Sequence, residues 1–187
     1  MRVVAGTFRS RQLIAPRGIG TRPTSDRLRE TLFNILAPRV ADSCFVDLYA
    51  GTGAVGIEAL SRGAEHVWFA EKAAPAAVAM RTNLSALKIT TGFTLETRGV
   101  AALLAKLTGP VDLVFLDPPY EAEAEYVSTL NFFGSAQGRQ LLAPNALVIA
   151  EHSSRKHLEV RYGTLVQTRL VRQGDAALSF FEPESNA

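Results

Sequence analysis

From Cys44 to Glu151 the chain keeps changing its hydrophobic period. Short apolar runs at 44–48, 66–71, 93–97, 111–116 and 146–151 alternate with stretches at 53–62, 74–87, 99–107 and 123–133, whose apolar residues recur at helical spacing. Strands separated by helices cannot close as hairpins, so successive strands are joined by right-handed crossovers and run parallel. The expected fold is α/β, a doubly wound, mostly parallel sheet with helices on both faces. The beat breaks in the tail. Thr164 to Arg172 and Ala176 to Glu182 read as strands joined only by Gln173-Gly174-Asp175, which predicts an antiparallel hairpin at the sheet edge.

Ahead of this region, residues 2–5 and 11–14 are strand-like pieces around Gly6 to Ser10 and predict a small β-hairpin. Thr24 or Ser25 then caps a helix with Leu28, Leu32, Ile35 and Leu36 on its apolar face, Arg27, Arg29 and Glu30 facing away, and Pro38 as its stop. Residues 1–42 hold eight arginines against three acids, whereas 43–154 hold seven bases against eleven acids, an asymmetry hidden by the net charge of +2. A basic arm of this kind suits a polyanion, although sixteen arginines against four lysines also fit a GC-rich coding sequence. The expected organisation is an extension over 1–42 and a main domain over 43–187, packed as one compact unit. With 187 residues and 47% apolar side chains, one continuous core is the default.

No apolar run approaches the roughly 18 residues of a membrane span, and Met1 to Gln12 lacks an apolar signal core. A cytoplasmic monomer is expected. Cys44 is the single cysteine, which excludes an intramolecular disulfide, a CxxC pair and a cysteine-rich metal site; no metal is expected.

The first candidate site is Phe45 to Gly56, an apolar strand running into a glycine loop and a helix. It holds GxGxxG at 51, 53 and 56, with Glu71 twenty residues beyond Gly51. That spacing meets the dinucleotide fingerprint, in which glycines admit close backbone approach and the acid takes ribose hydroxyls. Alone it is a weak signal, since glycines also serve tight turns and close helix packing. Asp47 separates the cofactors. At the end of the strand its carboxylate would face the ligand, repelling a pyrophosphate but suiting S-adenosylmethionine, which carries an ammonium and a sulfonium.

The second motif is more specific. The apolar strand Leu113 to Leu116 ends in Asp117-Pro118-Pro119-Tyr120, and strand ends on the carboxyl side are where α/β sheets build their sites. A chance Asp/Asn-Pro-Pro-aromatic in a chain of this length has a probability on the order of 10⁻³ to 10⁻². The residue types suit transfer to an exocyclic amine of a nucleobase, whose lone pair is conjugated into the ring. Asp117 can accept one N–H and the Pro118 carbonyl the other, while Pro119 supplies no competing N–H. Tyr120 offers a face for an extruded base, a contact worth roughly 1–3 kcal/mol. Methylation at a pyrimidine ring carbon usually needs a thiolate, and Cys44 stands far from Asp117 in sequence, so carbon methylation is disfavoured.

Asp-x-x-x-Gly-x-Gly followed by Asp-Pro-Pro-Tyr resembles the class I S-adenosylmethionine-dependent amino-methyltransferases. The stretch Thr21 to Asn34 narrows this, because it is similar to the arginine-rich lead-in of the RsmD-type enzymes, which methylate N2 of a guanine in 16S ribosomal RNA. The likeness also takes in Gly6 to Leu13, Asp47 to Arg62 and Gly174 to Leu178. The resemblance implies a seven-stranded Rossmann-like sheet with an N-terminal extension that grips RNA in the small ribosomal subunit. It implies cofactor contacts from Asp47, Ala50, Gly51, Thr52, Gly53, Glu71, Lys72, Gly99, Val100 and Asp117, with Asp117, Pro118, Pro119 and Tyr120 holding the base. Arg9, Arg11, Arg22, Thr24 and Arg27 become candidates for RNA phosphates. Many relatives carry Asp or Asn after the third strand to bind the adenine amino group; Thr97-Arg98-Gly99-Val100 stands there instead.

Three other readings stay open at this point: a DNA adenine or cytosine amino-methyltransferase sharing Asp-Pro-Pro-Tyr, an NAD-dependent oxidoreductase resting on GxGxxG, and a non-catalytic RNA-binding module resting on the arginine arm. The first lacks a separate DNA-reading domain, and Asp47 and Asp117 argue against the other two.

Overall fold

A computed structural model describes residues 1–15 and 25–184. The chain divides into two compact units, Met1–Lys106 and Leu107–Ala187. Among the described residues no helix is long and apolar enough to cross a membrane.

In the first unit an N-terminal hairpin precedes helix α1 (Asp26–Val40). There follow β1 (Cys44–Leu48), α2 (Ala54–Ser61), β2 (His66–Ala70), α3 (Ala74–Ala86), β3 (Phe93–Glu96) and α4 (Val100–Leu104). The strands pair in parallel in the order β3-β2-β1, with Asp47 opposite Phe69 and Phe69 opposite Leu95. Their carboxyl ends therefore share one edge. Phe45, Val46, Leu48, Val67 and Phe69 are fully buried, each burial worth roughly 1.5–3 kcal/mol. Helix α1 lays Leu28, Leu32, Phe33, Leu36 and Val40 inward, and the Phe33 and Phe45 rings stack with centroids 6.2 Å apart.

Two expectations for this helix are corrected. It does not stop at Pro38 but runs to Val40. A proline this close to the end forfeits one ladder bond and leaves little helix beyond it to disturb, and buried Val40 anchors the final turn. Arg29 does not face away: it is fully buried. Its guanidinium donates to Asp26 Oδ1 at 2.8 Å and to the Arg2 carbonyl, and its Nε lies 3.8 Å from the buried Glu58 carboxylate. A buried charge persists only when paired, and Glu58 lies too far along the chain for that pairing to be read locally. Of the two candidate caps, Ser25 accepts the Leu28 N–H at 3.1 Å; Thr24 lies outside the described residues.

The hairpin is present, carried by one isolated bridge between Arg2 and Gln12 and not by full strands, and closed by Ser10 N–H to the Val3 carbonyl at 2.9 Å and Leu13 N–H to the Met1 carbonyl at 3.0 Å. Its first half is docked on α2. Val4 and Ala5 donate their N–H groups to Glu58 at 2.7 and 2.9 Å. Phe8 N–H donates to Ser61 Oγ at 2.9 Å, and that hydroxyl donates to the Ala5 carbonyl at 2.6 Å.

The second unit contains β4 (Val111–Leu116), α5 (Glu123–Gly134), α6 (Ala136–Leu141), β5 (Leu142–Ser153), β6 (Arg161–Tyr162), β7 (Leu165–Gln173) and β8 (Ala176–Pro183). β4 and β5 are parallel; β8, β7 and β6 follow in antiparallel order. The C-terminal hairpin turns where expected, with Gln173 opposite Ala176. The expected α/β class, parallel strands with an antiparallel C-terminal hairpin, is thus present. The described residues form eight strands instead of seven. The additional one, β6, is only two residues long and carries no periodic signal. Helix α6 is six residues long, started by Ser135, whose Oγ accepts the Gly138 N–H at 3.2 Å.

Candidate active site

Three acids mark the carboxyl edge of the first unit's strands: Asp47 within β1, Glu71 just after β2 and Glu96 ending β3. Between β1 and α2 the backbone folds back through left-handed conformations at Tyr49 (φ 62), Gly51 (φ 56) and Gly53 (φ 78). Glycine meets no steric penalty there; Tyr49 does, and such positions persist only where the surroundings determine them. The turn is locked by Gly53 N–H to the Ala50 carbonyl at 2.8 Å and Ala50 N–H to the Ala70 carbonyl at 2.9 Å. The third glycine of GxGxxG serves packing, because a Cβ on Gly56 would lie 2.2 Å from the Phe69 ring.

Asp47 is 1% exposed, and its Oδ2 accepts the Gly56 N–H at 2.8 Å. Burial pushes its carboxyl up to about 7; the Gly56 N–H pulls the other way, and the negative charge of Glu71 adds to the rise. This carboxylate therefore organises the glycine loop by holding the first turn of α2. Glu71, half-buried at the rim, accepts Gly51 N–H at 2.8 Å on one oxygen and Ala73 N–H at 2.6 Å on the other. Both acids thus shape the backbone between them.

At the end of β3, Glu96 receives Arg98 through its Nε and Nη2 at 3.0 and 3.1 Å and its N–H at 2.9 Å, and Lys106 Nζ at 2.6 Å. The hydrogen bonds from Arg98 and then Lys106 hold this carboxyl well below the usual carboxylate range. Arg98 is folded back on Glu96. Gly99 and Val100 start α4, with Gly99 buried beside Lys72.

In the second unit β4 runs directly into Asp117 to Tyr120. Asp117 and Tyr120 are half-buried, Pro118 is buried and Pro119 is exposed. The Ala122 N–H donates to the Pro119 carbonyl at 2.8 Å, closing the turn. The Pro118 carbonyl accepts the hydroxyl of fully buried Tyr126 at 3.1 Å, and that hydroxyl also lies 3.0 Å from the Glu151 carbonyl.

Of the arginine candidates, Arg9, Arg11 and Arg27 are exposed or partly so, with Arg11 Nη2 reaching the Ala86 carbonyl at 3.4 Å. Arg22 and Thr24 lie outside the described residues.

A family model described as "Conserved hypothetical protein 95" matches residues 1–182. The chain belongs to this family, that of the RsmD-type methyltransferases. It is 33% identical over 186 residues to YlbH of Bacillus subtilis (strain 168), covering 97% of this chain and 98% of that one. It is 36% identical over 162 residues to "Ribosomal RNA small subunit methyltransferase D" of Haemophilus influenzae, 84% of this chain and 81% of that one. The solved structure of YhhF from Escherichia coli superposes with a TM-score of 0.84 at 32% identity, covering 100% of this chain and 99% of that chain.

Several residues that shape this family member's site are not apparent from sequence. Asn83 of α3 is 2% exposed. Its Nδ2 donates to the carbonyls of Thr52 in the glycine loop and Ile14 at the hairpin's exit, each at 3.1 Å, while its Oδ1 accepts the Ile14 N–H at 2.8 Å. Glu58 is a charged residue between buried Ile57 and Ala59, four before Arg62, a spacing that reads as an ordinary surface pair. Tyr126 stands at i of an i, i+4, i+7 apolar stripe with Leu130 and Phe133 and reads as core.

Proposed function

We propose that this chain is an S-adenosylmethionine-dependent methyltransferase that modifies N2 of a guanine in small-subunit ribosomal RNA. The observation that carries the reading is Asp117-Pro118-Pro119-Tyr120 leaving the carboxyl end of β4 with Asp117 partly accessible, in a chain whose relative is named "Ribosomal RNA small subunit methyltransferase D". The donor set of the first unit fits the cofactor. The rim carboxylate of Glu71 favours a ligand that brings a diol and would repel a pyrophosphate, while buried Asp47 acts through the glycine loop that it holds. Ala50, Gly51, Thr52 and Gly53, in the loop that Asp47 organises, would hold its methionine side, Glu71 and Lys72 its ribose, and Gly99 and Val100 its adenine. When bound, S-adenosylmethionine supplies an electrophilic methyl group on a sulfonium.

The chain's own part is to hold the amine. Asp117 accepts one N–H and the Pro118 carbonyl the other, which keeps the nitrogen lone pair out of conjugation with the ring, and the carboxylate offsets the positive charge that develops on nitrogen. Tyr120 stacks on the base. Pro119 brings no N–H to compete for the same acceptors. Arg9, Arg11 and Arg27, with Arg22 and Thr24, contact phosphates.

The test is transfer of labelled methyl from S-adenosylmethionine to unmethylated small ribosomal subunits, deproteinised ribosomal RNA and DNA, read by nucleoside mass spectrometry. N2-methylguanosine on subunits and none on DNA is expected. Label on DNA alone, or no label anywhere despite measurable cofactor binding, would overturn this assignment.

A further inference from the structure

We propose that Tyr126 is a positioning residue for the amine-holding loop, its hydroxyl fixing the Pro118 carbonyl from the protein interior. The proposal rests on the reading of Asp117 to Tyr120 given above. Pro118 and Pro119 are consecutive residues without backbone N–H groups, so their own hydrogen bonds run only through their carbonyls. The Pro119 carbonyl takes the Ala122 N–H, and the Pro118 carbonyl takes a side chain. Tyr126 is 0% exposed on α5, and its hydroxyl meets the Pro118 carbonyl at 3.1 Å and the Glu151 carbonyl, at the end of β5, at 3.0 Å. The hydroxyl thus ties the loop after β4 to the neighbouring parallel strand.

A phenylalanine would fill the apolar stripe with Leu130 and Phe133 equally well, so packing alone gives no account of the hydroxyl. Lys156 Nζ sits over the ring, 4.4 Å from its centroid. A phenol has one hydrogen and here two carbonyl acceptors at nearly equal distance. A carbonyl oxygen has two lone pairs, so one bond from the interior leaves the Pro118 oxygen able to accept an amine hydrogen. The shared hydroxyl hydrogen thus holds the loop without taking the whole acceptor capacity of that carbonyl.

The experiment compares wild type, Tyr126→Phe and Lys156→Met for methyl transfer to unmethylated small subunits, with S-adenosylhomocysteine affinity measured by calorimetry and thermal midpoints recorded alongside. Tyr126→Phe is expected to lower kcat about tenfold, the scale of one misplaced hydrogen bond in a transition state. KM for the subunit and cofactor affinity should stay within about twofold, because the hydroxyl bonds the carbonyl proposed to hold the amine and no group assigned to the cofactor. Lys156→Met, which removes the ring contact and keeps the hydroxyl, should retain wild-type kcat. An unchanged kcat in Tyr126→Phe, or a fall matched by equal losses in cofactor affinity or shared by Lys156→Met, would overturn the positioning role. Absence of transfer by the wild-type protein would overturn the proposed function together with it, and is distinguished by the first arm of the assay.

Discussion

Replacing Asp47 with asparagine isolates the energetic cost of the buried carboxyl behind the glycine loop. The unfolded chain releases the Asp47 proton near 3.8, whereas the folded protein keeps it to about 7. The folded pKa is the higher one, so the stability linked to this group is fully present below pH 3.8 and is lost as pH rises to about 7. At about 1.4 kcal/mol per pH unit, the full loss is about 4 kcal/mol, of which about 3 kcal/mol falls between about pH 5 and about pH 8. Asparagine keeps the size and an oxygen to accept the Gly56 N–H but does not titrate. Its absolute stability depends on where its new amide hydrogens go; the pH dependence of the difference does not. Urea unfolding of both proteins across that range should show the variant gaining about 3 kcal/mol on the wild type toward the alkaline end. A gap that stays constant with pH would refute the reasoning.

Asp117→Ala should abolish methyl transfer while leaving S-adenosylhomocysteine affinity within a few fold, checked by turnover and calorimetry on the same preparation. Substituting Arg9, Arg11, Arg22 and Arg27 together should weaken RNA binding and flatten its salt dependence by roughly one unit of log–log slope for each phosphate no longer neutralised, measured by filter binding over a salt series. Glu58→Ala leaves buried Arg29 without its buried counter-ion and the Val4 and Ala5 N–H groups without their acceptor. A stability loss of roughly 3–5 kcal/mol is expected in urea unfolding, together with rapid proteolytic cleavage within the first fourteen residues.

Much of this fold is written locally. The five alternating apolar runs all become strands, and β1 and β4 have the expected ends, because a buried parallel strand is a short uninterrupted apolar stretch bounded by polar or turn residues. What local patterning does not reveal depends on distant partners. Arg29 reads as solvent-facing because an arginine is expensive to bury, and the Glu58 that makes burial tolerable comes from a helix beyond the first strand. β6 exists only because Arg161 and Tyr162 find Val166 and Leu165 opposite them. In the site, the glycine loop, Asp47 and Glu71 are legible from spacing, whereas Glu96 is not, because its partners Arg98 and Lys106 read as surface charges. The backbone duties of Asp47 and Glu71, toward Gly56 and Gly51, are not, because a carboxylate that faces a ligand and one that props a turn leave the same letter in the sequence.

The way the N-terminal hairpin is fastened leaves its outer surface free to diverge. Glu58, Ser61 and Asn83 grip it through the main-chain amides of Val4, Ala5, Phe8 and Ile14, groups that every non-proline residue supplies. Side chains such as those of Arg9 and Arg11 can therefore be exchanged without unseating the hairpin. Drift in what the arm touches is uncoupled from drift in how it is anchored, so relatives can retune the outer face while the inner face of α2 and α3 stays constant. The exception is Asn83, which serves Ile14 and the Thr52 carbonyl with one amide. Any lineage that discards the arm must also find another support for the glycine loop.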